Sequence, residues 1–250
     1  DAELMTKSTG LGDQLYVGAF DLSGDIGSIG GISSGVTGTF DVTGIDKSAH
    51  ERILGQRDGS IEYSAFFNDA ANRAHARLSL LPTIDREVSY FRGQVLGNPA
   101  ASTVGKQIGY DPTRGADGSL TIAAQALSNG FGLDWGLQLT AGQRTDGSAT
   151  NGTGVDFTTV STTFGWQAYL HVFAFTGTSV TVTLQDSADN VSFANLAGGA
   201  FTVATGLTSE RLAGSTTATV RRYVRAITSG TFSNAVFAVA FTRNEAEVRI

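Results

Sequence analysis

Three histidines, a scatter of carboxylates and one run of aromatics are the side chains here that could do chemistry. Imidazole titrates closest to neutral pH, so His50, His75 and His171 are the first candidates for proton transfer or metal ligation. Their spacing argues against both. His50-Glu51 opens like a zinc-protease motif but continues Arg52-Ile53, with no second histidine one helical turn on. His75 falls near the buried edge of an expected helix, where packing explains it better than ligation. Asp111 and Asp117, in DPTRGADG, lack the alternating spacing of a calcium loop, and an Asp-Gly turn accounts for Asp117. The glycine-rich stretches carry no P-loop lysine, and no serine nucleophile elbow is read in them. Two carboxylates could meet to cleave a glycosidic bond without being near in sequence, but nothing singles out a pair. Trp166, Tyr169, Phe173 and Phe175 could stack on sugar rings if exposed. Their alternation favours a core. The reading is therefore no catalytic residue, no metal site and no cofactor. Asn151-Gly-Thr and Asn190-Val-Ser match the glycosylation sequon, which matters only in a eukaryotic secretory setting.

Composition narrows the classes further. Cysteine is absent, which removes disulfides, thiol nucleophiles and thiolate metal sites. The 250 residues suit one large or two ordinary domains, and 41% hydrophobic content can build a core. Thirty-two glycines against 3 prolines, with many Thr, Ser and Val, favour strands and tight turns. No apolar run approaches the roughly 20 residues of a membrane span. Residues 1–12 read as a flexible leader without signal-peptide character. The net charge of −6 lies wholly in residues 1–140, with 16 acidic and 10 basic side chains; 141–250 balance at 7 and 7. An acidic surface does not grip phosphate backbones.

These residues sit on a strand-rich frame organised around positions 58–92. In DGSIEYSAFFN, Ile61, Tyr63, Ala65 and Phe67 alternate with Ser60, Glu62 and Ser64, which predicts a half-buried strand. Ala71, Ala74, Leu78 and Leu81 recur at helical spacing, with Asn68 or Asp69 as the cap and Pro82 as the stop. Val88 and Tyr90 then alternate with Glu87 and Ser89. Ser119–Leu127 reads as a strand with Thr121, Ala123 and Gln125 on one face. Leu15–Leu22, Thr39–Ile45 and Val104–Tyr110 read as strands. Phe131–Leu139 reads as a strand or an arm. Ser23–Gly38 reads as a loop, ordered by a partner or plain, and Asp46–Gln56 as a long connection between strands. The polar stretch 143–164 is expected to be a linker between domains 1–142 and 165–250. Beyond it, Ala168–Phe175, Ser179–Gln185, Ala200–Val203, Thr219–Thr228 and Asn234–Arg243 predict an all-β sandwich or jelly roll.

The order GSIEYSAFFN, AANRAHARLSLL, EVSYFRG, SLTIAAQALSNG resembles the core of phage major tail tube proteins of long non-contractile tails. LYVGAFDLSGDIGSIGGISSG, DVTGIDKSAHERILGQRDGSIEYSAFFN and YDPTRGADGSLTIAAQALSNG are similar in wording to tail proteins of phages infecting actinobacteria. The resemblance implies a mainly β chain: an α+β tail-tube sandwich with one flanking helix, plus an outer C-terminal sandwich. It implies a structural virion protein, made in the host cytoplasm, whose six copies form a ring around an inner barrel. Rings stack into a tube that holds the tape-measure protein and passes double-stranded DNA without reading its sequence. By alternation, Asp41, Thr43, Glu62, Ser64, Thr121 and Gln125 would line the lumen. Asp46, Lys47, His50, Glu51 and Arg52 would touch the next ring. The C-terminal domain could meet host-surface glycans. A carbohydrate-binding or adhesive β-sandwich protein is the alternative, and a glycan-cleaving enzyme a third.

Overall fold

A computed structural model describes residues 9–248. In chain order its elements are β1 (Gln14–Val17), β2 (Phe20–Asp21), β3 (Ile26–Val36), β4 (Thr39–Asp41), β5 (Arg52–Leu54) and β6 (Arg57–Phe66), then the helix α1 (Ala74–Leu78). There follow β7 (Arg86–Phe91), β8 (Pro99–Arg114), β9 (Leu120–Ser128), β10 (Asp134–Gln138), β11 (Arg144–Asp146) and β12 (Val155–Thr162). The chain closes with β13 (Trp166–Ser187), β14 (Ala194–Ala200), β15 (Thr208–Ala213) and β16 (Val220–Arg243). The fold is mainly β, as the composition predicts. The expected leader lies largely outside the described residues.

The first half is a sandwich of two sheets that share β8. Residues Pro99–Gly105 of β8 lie between β7 and β10, and β7 continues to β1 and β2. Residues 105–114 pair instead with β9, and the sheet runs on through β6 to β3. Gly109, with φ +77, sits in a bulge between Ile108 and Asp111 that bends the strand. Ile61, Tyr63, Ala65, Ala124 and Ala126 from one sheet meet Leu15, Val17, Val88 and Tyr90 from the other, with Ala74 and Leu78 of α1 closing the core.

The helix is shorter than the 69–81 expected from periodicity. Asn72 (φ 66) and Leu81 (φ 42) leave the helical region on either side of it. Asn68 accepts from the Ala70 N–H and so caps a turn, not the helix. The helix N-terminus is held from outside: buried Asp25 accepts the Ala74 N–H at 3.0 Å and the Asn68 side-chain amide at 2.8 Å. Phe67, expected in the core, lies beyond the end of β6 and is exposed.

The stretch expected as a loop at Ser23–Gly38 contains the 11-residue strand β3. Ile26, Ile29 and Ile32 all pack on the core. Bulges between Ile26 and Ser28 and between Ile29 and Gly31 stretch the inward period to three, which hides the strand from a period-two reading. Residues 143–164, expected as a linker, carry β11 and β12, both paired with β16. Ser, Thr and Gly leave no apolar period there, but a backbone ladder needs none.

In the second half, the two segments 168–175 and 179–185 are one 22-residue strand, β13, and 219–228 and 234–243 are one 24-residue strand, β16. They pair with each other from Trp166↔Arg243 to Ser187↔Tyr223. The register slips on either side of Gly177, Gly230 opposite Val180 takes φ +120 just beyond, and the two arms fold into facing sheets around Trp166, Phe201, Phe237 and Phe241. Trp166 is buried, so its role is packing, as the alternation predicts.

The halves share a third buried layer. Tyr16, Phe91 and Ala100 pack on Tyr169, Ala238 and Ala240, and β10 bridges β8 to β16 through Leu137↔Phe241 and Gln138↔Ala240.

Candidate functional site

Among the described residues no three His, Asp or Glu side chains form a metal-ligand group. His171 is fully buried between the halves. Its Nδ1 is 2.6 Å from the Gly18 carbonyl and its Nε2 is 2.8 Å from Ser89 Oγ, itself 2.7 Å from Ser102 Oγ. One proton pattern satisfies all four groups: Nδ1–H donates to Gly18, and Ser102 donates to Ser89, which donates to Nε2. Burial pushes the His171 pKa below its ordinary value, so the ring is neutral. His75 packs its ring against Phe67 and hydrogen-bonds Tyr110. Gly31-Ile32-Ser33-Ser34-Gly35 does fit the serine-elbow spelling G-x-S-x-G. It lies inside β3, with no strand-to-helix turn to lift Ser33.

What the fold does build is a solvent-facing sheet surface with open sides. In the order β3-β6-β9-β8, the inner face packs on the core and the outer face is bare. Glu62 pairs with Gln125, Ser64 with Ala123 and Phe66 with Thr121, so the register agrees with the predicted alternation. Gln125 Nε2 donates to Glu62 Oε1 at 3.1 Å. Asp111 lies opposite Ala123 and adds a second carboxylate to this face. Lys106, further along β8, is held at 2.7 Å by Asp85 and donates to the Thr83 carbonyl.

Among the described residues, both sides of this sheet end in unpaired backbone, and β3 pairs with β6 alone. Residues 106–114 of β8 pair with β9 on one side, and no strand among the described residues pairs on the other. Such edges present rows of free N–H and C=O groups.

Four of the six nominated residues, Glu62, Ser64, Thr121 and Gln125, thus share one face. Asp41 and Thr43 do not join them. They belong to a hairpin arm, residues 37–56, that prolongs β3 and β6 past the sandwich. Its β4 and β5 form a separate two-stranded sheet with Asp41 opposite Arg52. Alternation alone could not separate them, because the arm and the sheet share one continuous period. Asp41 accepts from the Thr43 hydroxyl and backbone N–H and meets His50 Nδ1 at 2.7 Å. The Thr43 bonds, with His50 behind them, lower the Asp41 pKa. Lys47 bridges Asp46 and Glu51 at 4.0 and 3.5 Å. The five nominated contact residues, Asp46 to Arg52, therefore cluster at the arm's tip. The sequence reading missed the arm's exposed apolar residues: Phe40 and Ile53, paired across the hairpin, with Ile45 and Leu54, are all exposed, Phe40 and Leu54 at 63% each. Only the unusual length of the 46–56 connection signalled it.

No family model matches the chain, and no curated protein matches it. Among solved structures it is similar to the Dit protein of phage SPP1, described as a paradigm of the hub adsorption apparatus of phages infecting Gram-positive bacteria. The identity is 11% over 92% of this chain and 99% of that one, with a TM-score of 0.32. It is also similar to the phage p2 baseplate in its activated conformation, with strontium (11% identity, TM-score 0.28) and with calcium (10% identity, TM-score 0.28). Each match covers 94% of this chain and 99% of the other.

Proposed function

We propose that the chain is a structural virion protein that builds the tube of a phage tail. Six copies close side by side into a ring, rings stack, and the bare sheet faces line a channel for the tape-measure protein and double-stranded DNA. The carrying observation is the pair of edges left unpaired among the described residues, β3 and residues 106–114 of β8, on opposite sides of one sheet. Pairing the β3 edge of one copy with the β8 edge of the next is a head-to-tail contact, and such a contact closes into a ring when the rotation allows. Closure covers both of these edges at once. The sequence resemblance to tail tube proteins supports the same reading. Along the tube axis, the arm offers apolar side chains and a charged tip to a neighbouring ring. Glu62 and Asp111 give the channel face carboxylates that do not hold phosphate.

The chain lacks cysteine, so introduced thiols test the lateral contact on a clean background. Ser33→Cys on β3 is combined in turn with Asp111→Cys and Thr113→Cys on β8. Within one copy two strands intervene, about 14 Å in all, which is beyond disulfide reach. Oxidation is expected to give a ladder of covalent oligomers that stops at the ring number. Monomer alone from both pairs, with rings absent by light scattering, contradicts the reading.

A further inference from the structure

Three arginines lie close together on β16, and one has no carboxylate. Arg221 binds Asp186 at 2.6 Å and Arg222 binds Asp156 at 2.7 Å. Arg225 makes no ion pair among the described residues. Its Nε and Nη2 donate instead to a neutral amide, Gln185 Oε1, at 2.9 and 2.7 Å. Gln185 Nε2 in turn donates to Asn195 Oδ1 at 2.8 Å. The three residues form a row across adjacent strands, since Gln185 is in register with both Arg225 and Asn195. The Phe193 ring centroid lies 3.9 Å from the guanidinium carbon, a cation–π contact.

The acceptors in this row are used internally, and donors remain on a partly to fully exposed surface: Arg225 Nη1, the second N–H of Gln185 and the amide of Asn195. Partial burial lowers the Arg225 pKa, and no carboxylate offsets it. A half-buried cation held rigid, with spare donors and no counter-charge, is the converse of the neighbouring Arg221 and Arg222 pairs. The matching ligand group is a planar or tetrahedral oxyanion flanked by hydroxyls.

We propose that Arg225, Gln185 and Asn195 form a binding site on the C-terminal half for the oxyanion groups of a hydroxyl-bearing polymer. The oxyanion is a carboxylate of an acidic polysaccharide or a phosphodiester of a polyol phosphate; both present the same geometry to Arg225. The site is independent of ring closure, because it lies outside the four-stranded sheet.

Binding of oligogalacturonate, of a glycerol phosphate oligomer and of neutral dextran of equal length is measured by titration calorimetry on the whole chain. At least one anionic oligomer is expected to bind, more weakly as salt rises, with dextran silent; which one binds assigns the source. Arg225→Gln is expected to weaken it about tenfold or more, the scale of a lost charge-assisted hydrogen-bond pair. Arg222→Gln, with its own partner Asp156, is expected to stay within about twofold, the scale of an exposed ion pair. An unchanged melting temperature in each variant separates binding from folding. No binding of either anionic oligomer, equal binding of dextran, or full binding by Arg225→Gln overturns the proposal.

Discussion

At the residue scale, a few buried carboxylates hold distant segments together. Asp134, buried, accepts from Arg57 at 2.9 Å and from the Tyr169 hydroxyl at 2.7 Å, with Arg211 at 4.0 Å. One side chain thus ties the hairpin base, β10 and the C-terminal half. Removing one partner of a buried charge cluster leaves the others uncompensated. Asp134→Ala should therefore cost about 3–5 kcal/mol in denaturant unfolding, and Tyr169→Phe about 1 kcal/mol. Asp25 does the same for α1, and Asp25→Ala should cost roughly 1–2 kcal/mol by uncapping the helix. None of this was legible in the sequence. Asp25, Arg57 and Asp134 look like ordinary polar residues there, because their partners lie dozens of positions away. The Glu62–Gln125 pairing, by contrast, follows from alternation on two strands whose faces differ sharply in polarity.

At the element scale, bends and junctions decide the shape. β13 and β16 each cross from one sheet to the other, and the corner needs glycine. Gly230 sits at φ +120, and a Cβ there would collide with the Ser179 carbonyl. Gly230→Ala should cost roughly 1–3 kcal/mol, seen as a lower melting temperature. The sequence showed apolar alternation on each side of these corners and so suggested twice as many strands. Hydrophobic pattern marks where a strand is buried, not where a bent one continues. The junction between the halves makes a second prediction. His171 has a lowered pKa in the fold and an ordinary one when unfolded. As pH falls below about 6.5 the unfolded chain gains a proton that the fold refuses, so stability is lost with falling pH. Glu87, the charged group that acts on the ring, opposes this shift without abolishing it. The slope is at most about 1.4 kcal/mol per pH unit. Melting curves between pH 7.5 and 5, in roughly half-unit steps, should show it, and His171→Gln should flatten it.

At the scale of the whole molecule, two cores and a shared third layer carry a sheet that stops at bare edges. The sequence made the polar outer face readable but not those edges, since edge and centre strands differ in pairing and not in composition. The arm was legible only as a connection too long for its job. If copies complete one another's sheets, Glu62→Lys, on a central strand away from both edges, should leave assembly intact and make the tubes retain double-stranded DNA in a salt-dependent way. Co-sedimentation would show it, with retention about tenfold above that of the parent tubes at low salt. The most direct measurement is electron microscopy of the purified chain at rising concentration, with symmetry read from class averages. Closed hollow rings of six copies, stacking into tubes with β3 against β8 across each lateral contact, are the predicted result. A population that stays monomeric, or rings joined through other surfaces with both edges still open to solvent, would contradict it.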